Sequence, residues 1–193
     1  RDARTGLSLG DRSYAGLLRV RPRAAGGLEV SNLVDLEDYV AGVVAAELAL
    51  WSAQPEELRA QAIAARSYAV AALDHRGRKK AEPYLIDDVR DQVYGGRLDL
   101  ARVSGGAGRQ VDVARAVAST RGSVLMEDGS VVDARFHAAC GGATADGRSV
   151  FPETTHACLR SVACASCRGD LAAAREAGSE LAWRWTASRE TLD

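Results

Sequence analysis

Apolar residues recur with a helical period from Leu36 onward. Leu36, Val40 and Val43 occupy positions i, i+4 and i+7, and Glu47 follows at i+11 on the same face. This pattern predicts a helix over Leu36–Ala49 that carries a carboxylate on its apolar stripe.

A second helix is predicted over Pro55–Leu73. Proline suits the first turn of a helix, and the carboxylates of Glu56 and Glu57 lie near the positive end of the helix dipole. Arg66 falls on an apolar stripe of this helix. We therefore expect a cation to point toward the core as well.

Short, partly alternating stretches flank the two helices and predict strands. Residues 14–34 are interpreted as a hairpin that turns at the Gly-Gly pair 26–27, and a short helix is expected over 111–120. Asp128-Gly129, between two β-rich stretches, is a strong signal for a second hairpin. The chain is predicted to adopt an α/β (α+β) fold, with an Ala-rich helix pair packed on short, mostly antiparallel strands.

Composition narrows the classes of protein that fit this pattern. The 193 residues are 47% apolar, which suits one compact domain and excludes a disordered tail. Basic and acidic residues number 25 and 26 and are scattered, so the charge argument for a nucleic-acid-binding protein fails. The longest apolar run has 8 residues, far short of the ~18 that a membrane span needs.

Glu47 is the first candidate for chemistry. A carboxylate on an apolar helix face is desolvated, which raises its pKa and lets it hold a proton as a general acid near neutral pH. The alternative is a structural ion pair with the inward-pointing Arg66, which would lower the pKa of the carboxyl group. On the pattern alone we favour the ion pair, because buried paired charges outnumber catalytic ones.

Two short chelating pairs form a second candidate site. His137-x-x-Cys140 and Cys164-x-x-Cys167 have the spacings that tetrahedral zinc accepts. The alternatives are two disulfides that use these three cysteines together with Cys158, or free thiols. His156-x-Cys158 also offers alternative metal ligands. Cys140 as a nucleophile with His137 as its base is a weaker third interpretation, because the members of such a pair are usually distant in sequence.

Several ordered motifs between residues 30 and 167 resemble those of the stage II sporulation protein D family. They lie in both predicted helices, in the middle of the chain, and around Cys140. The motifs are Val34 to Glu47, Trp51, Glu57 to Ala62, Ala64 to Ala69, Asp91 to Gly96, Ala116-Val117, Thr120 to Gly122, and Phe136 to Thr144.

The resemblance implies an extracytoplasmic lytic transglycosylase, a lyase that acts on the glycan strands of peptidoglycan in the cell wall. It implies that Glu47, which closes a Gly-Val-Val-x-x-Glu motif, is the catalytic acid, and so it reverses the preference for an ion pair. Other branches of the family are non-catalytic amidase enhancers, which bind the wall and stimulate a separate amidase. A role in sporulation itself does not follow from the resemblance.

The resemblance also implies a set of substrate-binding residues and, in some members, a zinc ion bound through His and Cys beside the last motif. One family domain is implied over 1–193, with 1–30 as N-terminal strands and 168–193 as the start of a truncated C-terminal portion. The residues implied to line the glycan groove are Arg66, Tyr68, Gln92, Tyr94, Gly141, Gly142 and Thr144.

A single carboxylate limits the mechanisms that are open to such an enzyme. Hydrolytic glycosidases usually need two carboxylates that flank the bond. Asp35, Glu37 and Asp38 lie at the start of the first helix, where we expect capping and solvation to explain them. Glu47 alone suffices if the C6 hydroxyl of the N-acetylmuramic acid unit attacks C1, which yields a 1,6-anhydro end.

Overall fold

The computed structural model of the protein describes residues 7–50, 52–77, 85–97, 107–137, 140–154 and 156–167. The chain divides into two compact units, Arg1–Arg135 and Phe136–Asp193. Trp51 of the motif set and the expected C-terminal portion 168–193 lie outside the described residues.

The strands form three separate two-stranded antiparallel sheets within the described part of the first unit. The hairpin predicted in residues 14–34 is confirmed, and both glycines of its 26–27 turn have positive φ, which disfavours other residues. The second predicted hairpin is also confirmed, although its strands are only two residues long. The strands are β1 (Leu7–Leu9), β2 (Arg12–Tyr14), β3 (Leu17–Pro22), β4 (Leu28–Leu33), β5 (Met126–Glu127) and β6 (Ser130–Val131).

Helices α1 (Leu36–Glu47), α2 (Pro55–Gly77) and α3 (Ala107–Ser119) follow the predicted order. Helix α1 begins after Asp35, whose side chain accepts a hydrogen bond from the Glu37 N–H and so caps the helix. It ends two residues earlier than predicted, because Leu48 has an extended backbone. None of the helices in the described ranges is both long and apolar enough to cross a membrane.

The core of the first unit lies where the three helices pack together. Helix α1 contributes fully buried valines, helix α2 contributes small alanines that allow close approach, and α3 adds the third side. The predicted Ala-rich helix pair and the α+β class are confirmed. The most deeply buried apolar residues of these helices are Val40, Val43, Val44, Leu58, Ala62, Ala65, Ala69 and Val113.

The segment 92–96 crosses α1 at Gly42. A Cβ on Gly42 would lie 2.3 Å from the Gly96 carbonyl oxygen and 2.5 Å from Cε2 of Tyr94. The ring of Tyr94 also packs on that of Tyr39, with centroids 5.1 Å apart. Glycine at position 42 therefore lets this segment lie directly on the helix that carries Glu47.

The second unit is described between Phe136 and Cys167, apart from the gaps at 138–139 and 155. Residues on either side of a short helix, α4 (Gly147–Val150), pair through an antiparallel bridge between Ala143 and Ala163. The Cys164 N–H donates to the Gly142 carbonyl at 2.9 Å, and the Thr144 N–H donates to the Val162 carbonyl at 2.9 Å. This pairing brings the loop after Cys140 next to the Cys164-x-x-Cys167 element.

Candidate functional site

Glu47 is the last residue of α1 and is half-buried. Its Oε1 accepts a hydrogen bond of 2.7 Å from the backbone N–H of Val93. Among the described residues, no cation pairs with this carboxylate, and its Oε2 has no hydrogen-bond donor. One oxygen is thus fixed by the main chain, and the other is left for a proton.

The predicted alternative for Glu47, an ion pair with Arg66, is wrong. Arg66 is fully buried as predicted, but its guanidinium donates to both carboxylate oxygens of Glu37, at 3.0 Å and 2.7 Å. It also donates to the Ser123 carbonyl at 3.1 Å. Glu37 is therefore a partly buried ion-pair partner with 14% side-chain exposure, and the expectation that solvation explains it is wrong as well.

Gln92 lies in the core between α1 and α2, with 1% of its surface exposed. The Tyr39 hydroxyl donates to its Oε1 at 3.0 Å, and its Nε2 donates to the Ala65 carbonyl at 3.4 Å. One side chain therefore connects both helices immediately before the N–H of Val93 that reaches Glu47.

The segments on either side of Gln92 are held by two aspartates that the sequence analysis did not single out. Asp91 accepts from the Tyr68 hydroxyl at 2.6 Å and from the Ile86 N–H at 2.8 Å. Asp87 accepts from the Tyr94 N–H at 2.7 Å. Both aspartates flank or belong to the Asp91-to-Gly96 motif, so the motif itself was the signal that could have found them.

Burial and the nearby carboxylates shift the acidity of these groups. Desolvation, together with the hydrogen bond to Asp91, raises the pKa of Tyr68 well above its ordinary value. Desolvation does the same for Tyr39 and Tyr94. Desolvation also raises the pKa of Asp87, although the Tyr94 N–H and Arg12 oppose this rise. The three tyrosine hydroxyls therefore remain hydrogen-bond donors throughout the physiological pH range.

The four residues of the first unit that were predicted to bind substrate are internal. Arg66, Tyr68, Gln92 and Tyr94 are between 0% and 6% exposed, and each makes hydrogen bonds to other parts of the unit. Their contact with a glycan stays a prediction. What their contacts establish is a scaffold that holds segment 91–96 against α1 and α2.

Three of the four predicted metal ligands converge in the second unit. The Sγ atoms of Cys140, Cys164 and Cys167 lie within 4.8 Å of one another, and none of the three forms a disulfide. Tetrahedral zinc with Zn–S bonds of about 2.3 Å would separate its sulfurs by about 3.8 Å, so these thiols fit that metal. His137 is exposed and is not part of this group.

The neighbouring thiols perturb one another. The Cys167 N–H and the Cys167 and Cys140 thiols lower the pKa of Cys164. At Cys140 the Gly142 N–H lowers the pKa, but desolvation and hydrogen bonds with the other two thiols raise it above its ordinary value. A lowered thiol pKa favours the thiolate, which is the form that binds a metal cation.

Gly141, Gly142 and Thr144 form the loop after Cys140. Both glycines have positive φ, +66° and +107°, and a Cβ on Gly141 would meet open space. The Thr144 hydroxyl accepts from the Val162 N–H at 2.8 Å. The positive φ angles account for the two glycines, and the pairing with segment 162–164 accounts for Thr144. The contact of these three residues with substrate stays a prediction.

Comparison with known proteins identifies the class to which this scaffold belongs. The model of the SpoIID family, described as stage II sporulation protein, matches residues 24–126. This range covers α1, α2, segment 91–96 and α3, including Glu47. The chain is a member of the SpoIID family.

Three curated relatives are similar to the chain. The stage II sporulation protein D of Bacillus subtilis (strain 168) is 34% identical over 115 residues, which is 58% of this chain and 33% of that protein. Its counterpart in Bacillus amyloliquefaciens is 33% identical over the same shares. An uncharacterized protein of Brachyspira hyodysenteriae is 32% identical over 152 residues, 78% of this chain and 38% of the relative. The chain thus spans between 33% and 38% of the length of these relatives.

Proposed function

We propose that the protein is a peptidoglycan lytic transglycosylase that works on the outer side of the cytoplasmic membrane, in the cell envelope. Its substrate would be the glycosidic bond between N-acetylmuramic acid and N-acetylglucosamine. Membership of the SpoIID family and the position of Glu47 in a family motif support this proposal. The observation that carries it is the state of Glu47, which is half-buried, is held through one oxygen, and has no ion-pair partner in the part of the chain that the structure describes.

In the proposed reaction, the Glu47 carboxyl group first gives its proton to the glycosidic oxygen as the C1–O bond breaks. The C6 hydroxyl of the same N-acetylmuramic acid unit then attacks C1. Its proton passes to the Glu47 carboxylate, which restores the carboxyl group. The products are a 1,6-anhydro end and a free C4 hydroxyl. No water is consumed, and no second carboxylate is required.

The Arg66–Glu37 pair supports this role for Glu47. If Arg66 were the partner of Glu47, the carboxylate would be held in its charged form and could not act as an acid. Because the carboxylate that Arg66 binds is that of Glu37, the Arg66 guanidinium leaves Glu47 available for proton transfer.

We further propose that Cys140, Cys164 and Cys167 hold a structural zinc ion. Their sulfur positions and the lowered pKa of Cys164 support this assignment. Zinc bound there would fix the Gly141-Gly142 loop to the segment that follows Ala163. His137 is the predicted fourth ligand.

The products of digestion test the proposed activity. Purified glycan strands, with the stem peptides removed, are incubated with the protein and analysed by mass spectrometry. We expect 1,6-anhydro ends from the wild type and from the control Glu56→Gln, which changes an exposed glutamate of α2. Glu47→Gln should fold normally and produce none.

A different outcome would favour the amidase enhancer. If the wild type binds glycan strands, releases no anhydro ends and accelerates a cell-wall amidase, the transglycosylase proposal is wrong. If Glu47→Gln still produces anhydro ends, Glu47 is not the catalytic acid.

A further inference from the structure

The peptide unit that bonds to Glu47 is built from two neighbouring residues. The N–H belongs to Val93, and the carbonyl of the same planar group belongs to Gln92. The direction of this N–H also depends on the ψ angle of Gln92, so holding the side chain and Cα of Gln92 in place restricts the directions that the N–H can take. The position of the Gln92 side chain therefore bears directly on the Glu47 carboxylate.

Gln92 is fixed from two sides. Its Oε1 accepts from Tyr39 on α1, the helix that ends at Glu47, and its Nε2 donates to the Ala65 carbonyl on α2. Desolvation raises the pKa of Tyr39 well above its ordinary value, so its hydroxyl remains a donor at any working pH. With 1% of its surface exposed, Gln92 offers almost nothing to a ligand in solvent.

We propose that Gln92 is a positioning residue, which aims the Val93 N–H at Oε1 of Glu47 and does not itself bind the glycan. The proposal rests on the proposed function, because Glu47 is taken as the proton donor. It replaces the substrate-binding role that family resemblance implies for Gln92 with a role inside the protein.

The benefit lies in the orientation of the carboxyl group. A glutamate at the end of a helix can rotate about three side-chain bonds, and a proton donor must face the leaving oxygen at the moment of reaction. The hydrogen bond to Oε1 restricts this rotation, which leaves Oε2 as the oxygen that would carry the proton. Loss of the Gln92 anchor would leave Glu47 in place but poorly aimed.

Two variants remove hydrogen bonds of the Gln92 side chain, one by changing Gln92 itself and one by changing its donor Tyr39. Gln92→Met keeps the length of the side chain and removes both hydrogen bonds, and Tyr39→Phe removes only the donor to Oε1. The control is Gln54→Met, an exposed glutamine at the start of α2 whose Nε2 donates to the nearby Ser52 carbonyl. We expect kcat to fall on the order of 100-fold in Gln92→Met, to fall less in Tyr39→Phe, and to stay unchanged in the control.

Substrate binding distinguishes positioning from contact. The affinity of glycan strands is measured in the Glu47→Gln background, where no cleavage is expected, with and without Gln92→Met. We expect the affinity to change by less than about twofold, because the proposed role requires no contact between Gln92 and the sugar. A weakening of tenfold or more, with kcat unchanged, would overturn the proposal and restore Gln92 as a substrate ligand.

A readout without substrate keeps this proposal separate from the activity. Amide hydrogen exchange of Val93 should be slow in the wild type and in Gln54→Met, and at least tenfold faster in Gln92→Met and Tyr39→Phe, while the Val43 amide of α1 keeps its protection. Unchanged protection of Val93 in both variants would overturn the positioning role even if the enzyme is active. If the wild type makes no anhydro ends but Gln92→Met and Tyr39→Phe lose the protection of Val93 as expected, the proposed function is refuted. The hydrogen bonds of Gln92 would then still be shown to position the Val93 N–H.

Discussion

Arg66 of α2 and Glu37 of α1 form a buried bidentate ion pair, with N–O distances of 3.0 Å and 2.7 Å. The same two side chains reach the chain after α3, since Arg66 donates to the Ser123 carbonyl and the Gly122 N–H donates to Glu37 at 3.3 Å. An ion pair whose two side chains also make hydrogen bonds to the main chain can fix the relative placement of three segments, here α1, α2 and the chain after α3. The pair also engages Arg66, the cation that the sequence pattern assigned to Glu47, with a different carboxylate.

Arg66→Ala should destabilise the protein by about 3–5 kcal/mol, because it leaves the Glu37 carboxylate buried without its partner. The free energy of unfolding from urea denaturation measures this loss. Arg59→Ala is the matched control, since Arg59 pairs with Glu56 on the exposed side of the same helix and should change stability by less than about 0.5 kcal/mol. Equal stabilities of Arg66→Ala and the wild type would show that the ion pair does not hold the helices together.

The helical period predicted the buried face of α1 and the inward position of Arg66 on α2, but it could not predict which charged residues meet. The helical period determines which way a side chain points around the helix axis. Pairing also depends on the height of the residue, that is, its position along that axis. Arg66 lies eleven residues after the start of α2, and Glu37 lies ten residues before the end of α1. In a helix hairpin these heights match, and Glu47 lies near the loop, so counting from the loop would have found the correct partner.

Gly42→Ala should destabilise the protein despite the higher helix propensity of alanine. The propensity gain is about 1 kcal/mol. The added Cβ would lie 2.3 Å from a main-chain oxygen of segment 92–96, which cannot move without shifting Val93 away from Glu47. Overpacking of this kind costs about 1–3 kcal/mol, so we expect a net loss together with reduced formation of anhydro ends.

Gly95→Ala provides the comparison for the Gly42 variant within the same contact. Its Cβ would lie 3.4 Å from that of Ala46, a distance that small adjustments accommodate. Calorimetry should show a lower Tm for Gly42→Ala and nearly the wild-type Tm for Gly95→Ala. The same Tm for both variants would mean that segment 92–96 moves freely over α1.

Alkaline pH should weaken the fold through the buried tyrosines. Desolvation raises the pKa of Tyr39 above its ordinary value of 10.0, so the unfolded chain loses this proton first. The stability contributed by the protonated hydroxyl is complete below pH about 10 and is lost as pH rises toward the folded-state pKa, by up to about 1.4 kcal/mol per pH unit. The free energy of unfolding, measured from pH about 8 to 11, should bend downward near pH 10. Tyr39→Phe should reduce the downward slope; an unchanged slope would exclude Tyr39 as its cause.

The cysteine pattern predicted a cluster of possible metal ligands, but only three of its four predicted members, Cys140, Cys164 and Cys167, come together. Spacing of Cys-x-x-Cys type brings two sulfurs together within one turn, and this relation holds for Cys164 and Cys167. The approach of Cys140 depends on the bridge between Ala143 and Ala163, a long-range pairing that no local spacing encodes. The His137-x-x-Cys140 spacing did not place His137 in the group.

Zinc binding is expected to depend on the three cysteines more than on His137. Elemental analysis of the purified protein should find one zinc ion per chain, and Cys164→Ser should lose it, because the other two thiols cannot hold the metal alone at low free zinc. His137→Ala should keep most of the metal, since its ring is not within the cluster of ligand atoms. Cys158→Ser, at an exposed cysteine outside the cluster, is the control and should keep full stoichiometry. Wild-type protein without zinc and without titratable thiols after denaturation would mean that the four cysteines form two disulfides, and the metal assignment would be wrong.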